Sequence, residues 1–553
     1  MAHILSHQPA FYSWYTRFNL PARSAPVSSS EPLLIDGHSL AIEDVVAVAR
    51  HGRPVELAPA ARAAMQASRA FVESLLTPDA SPIYGINTGF GVFANRSVSP
   101  ADSEQLNRNL VLSHAVGVGD PFSEEVVRAA ILIRANTLAI GHSGVRPVIV
   151  ETLLAMLNAG VHPVVPQQGS LGSSGDLAPL CHLALVMLND EASGEAIYRG
   201  RRMSGAEAMA AAGIARLTLK AKEGLALSNG ATFSGAVAAL ALSDAETLIA
   251  DSILATALAL EALLGVSNAF DERLHAVRRQ GGQSVVAAVL RRLIAGSTFV
   301  DSAGRVQDPY SLRCAPQILG PALDTLRFVR GWIENEINAA TDNPLLFRAG
   351  TSFDVISGGN FHGELIGMGM DYLGIAVAEA GAILEQQINR LLNEKLSFGL
   401  PPMLVGDPEA AGLNSGLMMP HYTAVSLVLE NQTLAHSDSV HSLPASAGQE
   451  DVNANALTAA RHATQIVANV AHILAIHFFT VAQAIDLRAM AHPDKRLSPA
   501  SAAAQARLRR EVPFVAHDRL FHPDLERLWR LVLNGDILRA VEAEAGNLLP
   551  DFR

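Results

Sequence analysis

The chain has 553 residues, 49% of them hydrophobic and 17% charged, with a formal net charge of -12. That balance supports a large buried core, and length alone suggests three or four domains. It argues against a nucleic-acid partner, which favours a basic surface.

In chain order, the opening "MAHILSHQPAFYSWYTRFNL" lacks a continuous apolar run, so no secretory signal is expected. Residues 21–33, "PARSAPVSSSEPL", are rich in Pro and Ser, and residues 1–33 read as an N-terminal arm and linker. Helical periodicity dominates from residue 34, and aromatics at 5% favour helix over strand. Residues 34–228 read as an N-terminal region containing several Gly-rich loops. Residues 229–490 read as a central bundle. Within it, the stretches 231–264, 361–397 and 455–490 each predict an unusually long helix, apolar on nearly every face. Such helices must be buried, which places them at the centre of the bundle. The most apolar window, 465–485, carries two His, two Gln and an Asn, and reads as a core helix rather than a membrane span. Residues 491–553 predict peripheral amphipathic helices. No repeat of solenoid length is present.

The two cysteines, Cys181 and Cys314, are too few for a disulfide framework and suit a reducing, cytoplasmic setting. The 19 histidines form no HExxH or comparable cluster, so no metal site is expected.

Chemistry is expected at the polar, Gly-containing interruptions, because loops on a rigid scaffold carry function. These are "YGINTGFG" (84–91), "GSLGSSGDLAPL" (169–180), "LSNGAT" (227–232), "QDPYSLR" (307–313), "TDNPLLF" (341–347), "SGGNFHGE" (357–364) and "AGQEDVN" (447–453). The second has a bland reading, a turn in which Asp176 caps a helix starting at Leu177. It is not a phosphate loop, since the Gly-Lys-Ser/Thr of that motif is missing. A third reading is chemical. Glycine tolerates strained dihedrals, so the Gly175 nitrogen can attack the Ser173 carbonyl carbon. Loss of water closes a five-membered ring, and loss of a second water from Ser174 leaves an exocyclic methylene, an electrophile that no ordinary side chain offers.

This stretch resembles the prosthetic-group signature of the histidine and aromatic amino acid ammonia-lyases. There an Ala-Ser-Gly triplet cyclises to 4-methylidene-imidazol-5-one (MIO). The resemblance runs from about residue 34 to the C-terminus, and the interruptions match family motifs in the family's order. One departure is Ser173, where the family usually has Ala; ring closure uses only its backbone carbonyl. The resemblance implies a mainly α fold, a long-helix central bundle of the fumarase/aspartase-like type, with a smaller loop-rich N-terminal region carrying the electrophile. It also implies no external cofactor, and a homotetramer whose active sites draw on three chains.

Roles follow residue by residue. Ser173, Ser174 and Gly175 form the electrophile, which bonds the substrate at its amine. Tyr84 matches the family's base; Gly85, Gly89 and Gly91 give its loop the mobility of a lid. A tyrosine base needs a depressed pKa. Asn229 faces the ring or the substrate amine, with an N-cap of the long helix at 231 as the alternative. Tyr310 matches a tyrosine near the ring oxygen. Arg313 matches the ligand of the substrate carboxylate, which a planar guanidinium meets with two parallel hydrogen bonds. Gln307 and Asn343 match supporting ligands, Asn343 having a turn-forming alternative in "TDNP". Phe361 packs on the substrate ring, or is a core residue.

Two positions point to the substrate. Ser113-His114 resembles the Ser-His pair of histidine-specific members, and Glu450 matches their Glu, where phenylalanine and tyrosine lyases usually have Gln. His114 and Glu450 can each hold one imidazole nitrogen. Asp451-Val452-Asn453 resembles the phenylalanine type instead. The expected activity is elimination of ammonia from L-histidine. Phenylalanine or tyrosine ammonia-lyase and an aromatic 2,3-aminomutase stay open, as does a non-catalytic helical scaffold, although Tyr84, Ser174 and Arg313 are all intact.

Overall fold

Three helices organise the chain: Thr232–Ala262, Glu364–Leu392 and Ala456–Ala491. They fall on the three predicted stretches. The second stops short of its predicted end because Asn393 turns extended, with ψ 110°. This is a computed structural model that describes residues 31–77 and 79–549. Of the arm and linker read at residues 1–33, residues 1–30 lie outside the described residues, and Leu33 already belongs to the strand Leu33–Ile35.

The first long helix is apolar all round, and the structure shows why. Every residue in it is buried except Ser243, Asp244 and Thr247, which share one stripe. At 1.5 Å per residue it is about 45 Å long. The second and third long helices pack along it and against each other, and Ala315–Ile337 covers the first and second. Glu364–Leu392 and Ala456–Ala491 have the length and hydropathy to cross a membrane, but both are mostly buried inside the protein. They are core helices of the bundle, as their scattered polar residues predict.

Strands are few and short. Leu33–Ile35 pairs in parallel with Val55–Leu57. Val161–Pro163, Glu195–Tyr198 and Arg201–Ser204 form an antiparallel sheet. Leu345–Ala349 and Ser352–Ile356 form a hairpin, with Phe347 opposite Asp354. The tail folds into the helices Pro499–Glu511, His522–Asn534 and Asp536–Ala545. One hydrophobic cluster runs from Ile35 to Leu549.

Candidate active site

The Ser173-Ser174-Gly175 triplet lies where four helices begin: Leu177–Met187 and the three long ones. The first follows directly in sequence, and a residue just before each long helix is hydrogen-bonded through the backbone to the segment 171–176. Gly230, just before the first long helix, donates its N–H to the Ser174 carbonyl at 3.2 Å and accepts from the Asp176 N–H at 2.9 Å. Gly363, just before the second, donates to the Gly172 carbonyl at 2.8 Å. Asn455, just before the third, donates to the Leu171 carbonyl at 2.8 Å. The partial positive charge of helix N-termini therefore gathers on this turn and favours electron-rich groups there.

Glycine is required at the centre of this clamp. Gly175 has φ +75°, and a Cβ on it would lie 2.0 Å from the Gly230 carbonyl carbon. Gly230 has φ +108° and little room as well, since a Cβ on it would lie 2.5 Å from Thr341 Oγ1. The segment is thus held by backbone on both sides. Among the described residues, neither the Gly175 N–H nor the Ser173 carbonyl enters a hydrogen bond. These are the two groups that ring closure would join, so the residues present fit the group.

Asp176 does not cap the helix it precedes. Its side chain makes no bond to that helix and instead accepts from the Ser234 N–H at 2.7 Å and the Ser234 hydroxyl at 2.8 Å. It therefore caps the first turn of the first long helix, a tertiary contact that local spacing does not reveal. Ser170 Oγ donates to it at 2.7 Å. Burial holds the Asp176 pKa above the ordinary value, against these hydrogen bonds.

Beneath the triplet lies a buried set of charges that sequence reasoning missed. Arg134 is fully buried and donates to the Ala226 carbonyl at 2.8 Å and to Thr232 Oγ1. Lys222 and Asp342 form an ion pair with both side chains fully buried. Burial pushes the Lys222 pKa down, and Asp342 opposes that shift. Glu336 carries an unpartnered buried Oε1, and burial pushes its pKa up to about 7. Arg134 opposes that rise and Asp176 adds to it. One signal was present: Arg134 is the lone cation in "AAILIRANTLAIG".

Glu450, Tyr84 and His114 gather on the open side of the triplet. Glu450 Oε1 accepts from Ser174 Oγ at 2.5 Å. Ser173 Oγ donates to Asn453 Oδ1 at 2.5 Å, so both serines reach the same loop. Tyr84 is partly buried, and its hydroxyl accepts from the Gly91 N–H at 3.4 Å. Its pKa is raised rather than depressed, first by burial, then by the carboxylates of Glu450 and Asp342. Among the described residues, no cation contributes to lowering it. His114 ends the helix Ser103–His114, with Ser113 Oγ at 2.9 Å from its Nδ1. Burial lowers its pKa, with the nearby Glu450 charge opposing, so the ring is neutral at pH 7.

Asn229 closes the short helix Glu223–Ser228 as its C-cap, and Ala231 occupies the N-cap position that was its alternative. Its Nδ2 reaches the Asn343 carbonyl at 3.5 Å. Asn343 spends its own amide on the 357–358 turn: Oδ1 accepts from the Gly358 N–H at 2.7 Å, and Nδ2 donates to Ser357 Oγ at 3.1 Å. Phe361 is half-buried, two residues before the Gly363 anchor.

Gln307, Tyr310 and Arg313 are elsewhere. Val266 donates its N–H to Asp308 at 2.6 Å, and Arg305 donates to the carbonyls of Leu263 and Leu264, both at 3.0 Å. These contacts put residues 305–313 at the C-terminal end of the first long helix, whereas the triplet lies at its start. Ser311 shares Gln387 with Thr256, and the rise from Ser234 to Thr256 is about 33 Å. Within one chain, Arg313 cannot reach Ser174. Arg313 donates to Gln307 Oε1 at 2.7 Å, stacks 4.8 Å from the Tyr310 ring centre, and keeps a buried Nε without a partner.

The overall fold is shared with known enzymes. The chain belongs to the aromatic amino acid lyase family, whose sequence profile matches residues 40–510. It is 48% identical to the histidine ammonia-lyase of Geobacillus thermodenitrificans, over 89% of this chain and 96% of that protein. It is 47% identical to that of Symbiobacterium thermophilum, over 93% of this chain and 99% of that protein. Among solved structures, the tyrosine aminomutase from Streptomyces globisporus superposes with TM-score 0.86 at 37% identity, covering 93% of this chain and 99% of its own. The histidine ammonia-lyase from Trypanosoma cruzi superposes with TM-score 0.86 at 35% identity, covering 94% and 98%.

Proposed function

We propose that the protein eliminates ammonia from L-histidine to give urocanate, after Ser173, Ser174 and Gly175 condense into MIO. The observation that carries this reading is the clamped triplet, with its two ring-forming groups unpaired and Glu450 in contact with Ser174. The histidine ammonia-lyases that the chain resembles support the substrate.

Once formed, the group supplies an electrophilic carbon that helps the amine depart. The chain's own residues do the rest. Neutral His114 and the Glu450 carboxylate hold the two imidazole nitrogens, one as acceptor or donor and the other as acceptor of N–H. Tyr84 Oη removes the β-proton. Asn229 steadies the amine side, and Asn343 acts through the 357–358 turn beside Phe361. Helix N-termini stabilise negative charge arising on the turn. Arg313 binds the substrate carboxylate and Tyr310 stands beside it, with Gln307 orienting the guanidinium. Their distance from Ser174 requires that a second copy of the chain deliver them, in keeping with the homotetramer that the resemblance implies.

The test is a substrate panel with the wild type and Ser174→Ala. Histidine yields urocanate absorbance and free ammonia with the wild type. Ser174→Ala loses on the order of 10³-fold or more of that activity, and its intact mass lacks the deficit of two waters. Unchanged turnover in the variant removes the mechanism. A β-amino acid product in place of free ammonia replaces the lyase reading with an aminomutase.

A further inference from the structure

Gln387 is a fully buried amide inside the second long helix, among Leu384, Ile388 and Leu391. An amide in such a place is tolerated only when its hydrogen bonds are made. Nε2 donates to the Ser311 carbonyl at 2.9 Å and to Thr256 Oγ1 at 3.1 Å, and Oε1 lies 2.9 Å from His477 Nε2. A backbone carbonyl can only accept, so the NH₂ group must face Ser311 and the oxygen must face His477. His477 is fully buried in the third long helix, and burial pushes its pKa down to about 3. The ring is therefore neutral and must carry its proton on Nε2. Its Nδ1 has no partner among the described residues. One chain of bonds thus links all three long helices to Ser311.

Ser311 belongs to the four-residue helix Tyr310–Arg313. So short a helix satisfies few of its own carbonyls and needs outside partners. Tyr310 and Arg313 flank Ser311, and Tyr310 is 69% exposed. We infer that Gln387, oriented by His477, is a positioning residue for substrate binding: it grips the Ser311 carbonyl and so sets where Tyr310 and Arg313 project into the neighbouring copy's site. The inference rests on the reading of Arg313 as carboxylate ligand. It reaches the substrate only through that segment.

The experiment compares steady-state kinetics and inhibition in the intact assembled enzyme. Gln387→Met keeps the volume and removes the donor. It should raise KM for histidine about tenfold and change kcat by less than about threefold, as expected when ground-state binding is loosened. Histamine, which lacks the carboxylate, should inhibit as well as it inhibits the wild type. Thr256→Val removes the other acceptor of the Gln387 NH₂ group without touching Ser311 and should leave KM within about twofold. If methionine prevents assembly, Gln387→Asn retracts the amide by one methylene and should show the same KM rise. An unchanged KM in the Gln387 variants, a parallel loss of histamine binding, or an equal KM rise in Thr256→Val overturns the inference. Arg313→Ala separates the two layers. If it leaves KM unchanged, the carboxylate reading fails and takes the inference with it. If it raises KM while the Gln387 variants do not, only the positioning role fails.

Discussion

The two ends of the first long helix are built on opposite terms. At its start, the triplet and the two residues before it are clamped by backbone from the starts of three long helices, and charges are buried below: Arg134, Lys222, Asp342 and Glu336. At its far end, Gln307, Tyr310 and Arg313 stand on a short exposed segment with one unpartnered guanidinium nitrogen. The start is held by backbone hydrogen bonds and close glycine contacts within one chain, as the proposed cyclisation requires. The far end is laid out as a surface that meets something else. The difference teaches that the triplet and the segment 307–313 are built apart, separated by about 33 Å of helix from Ser234 to Thr256, and the proposed site needs both.

The largest effect that can break this comparison is complementation. Ser174→Ala and Arg313→Ala chains should each be nearly inactive alone. Co-assembled at equal ratio, they should recover about a quarter of wild-type turnover, because a site needs the intact triplet from one variant and the intact arginine from the other. Urocanate formation in mixed and separately purified samples measures it. No recovery in assemblies shown to be mixed would mean that the far end serves no partner's triplet.

Next is the pH dependence of the start region. Burial and the Glu450 and Asp342 charges raise the Tyr84 pKa in the single chain. The base form is the phenolate, so kcat/KM should climb about tenfold per pH unit while pH is below the folded-state pKa. A limb that levels off below the ordinary tyrosine value of about 10 would show that assembly brings positive charge to Tyr84. Tyr84→Phe should remove both the activity and the limb; a limb that survives in residual activity assigns the base elsewhere.

The three long helices and the order of the Gly-containing loops were legible in the sequence, because an all-round apolar pattern and a local Gly-Ser-Asp signature are local facts. The partners across the fold were not. Asp176 looked like a cap for the helix beside it in sequence, yet it caps Ser234. The N-cap alternative for Asn229 gives way to a C-cap, because the short helix Glu223–Ser228 ends there. The raised Tyr84 pKa comes first from burial and then from carboxylates such as Glu450, far along the chain. Nothing in the local spacing of "QDPYSLR" shows that it stands a helix length away from the triplet.

A smaller effect tests the cost of burying charge at the start. Glu336 has its pKa raised from 4.5 to about 7 by burial, with Arg134 opposing and Asp176 reinforcing. The folded state therefore holds a proton that the unfolded state releases between these values, and stability falls as pH rises through that window. Glu336→Gln should gain at pH 8 relative to the wild type, by at most roughly 3 kcal/mol, and gain little near pH 4.5. Thermal unfolding of both proteins at the two pH values decides it. An equal shift at both would mean that the change acts through packing and not through the proton.

The smallest effect concerns Ser173, where this chain departs from the usual alanine. Its hydroxyl donates to Asn453 Oδ1 at 2.5 Å and so ties the triplet to the loop that carries Glu450. Ring closure needs the backbone carbonyl of Ser173 and not its side chain, so Ser173→Ala should retain the full mass deficit of two waters. The loss falls on Asn453, whose amide oxygen is left in a buried place while its N–H still donates to Ser442 Oγ at 2.8 Å and its Nδ2 to the Leu443 carbonyl. One buried hydrogen bond is worth about 1 kcal/mol, enough to loosen the loop without detaching it. The expected result is a change of about threefold or less in kcat/KM for histidine, with faster amide exchange confined to residues 446–453. A variant that no longer dehydrates would show that the hydroxyl takes part in cyclisation. A variant identical to the wild type in exchange would show that the backbone clamp alone holds the loop over the triplet.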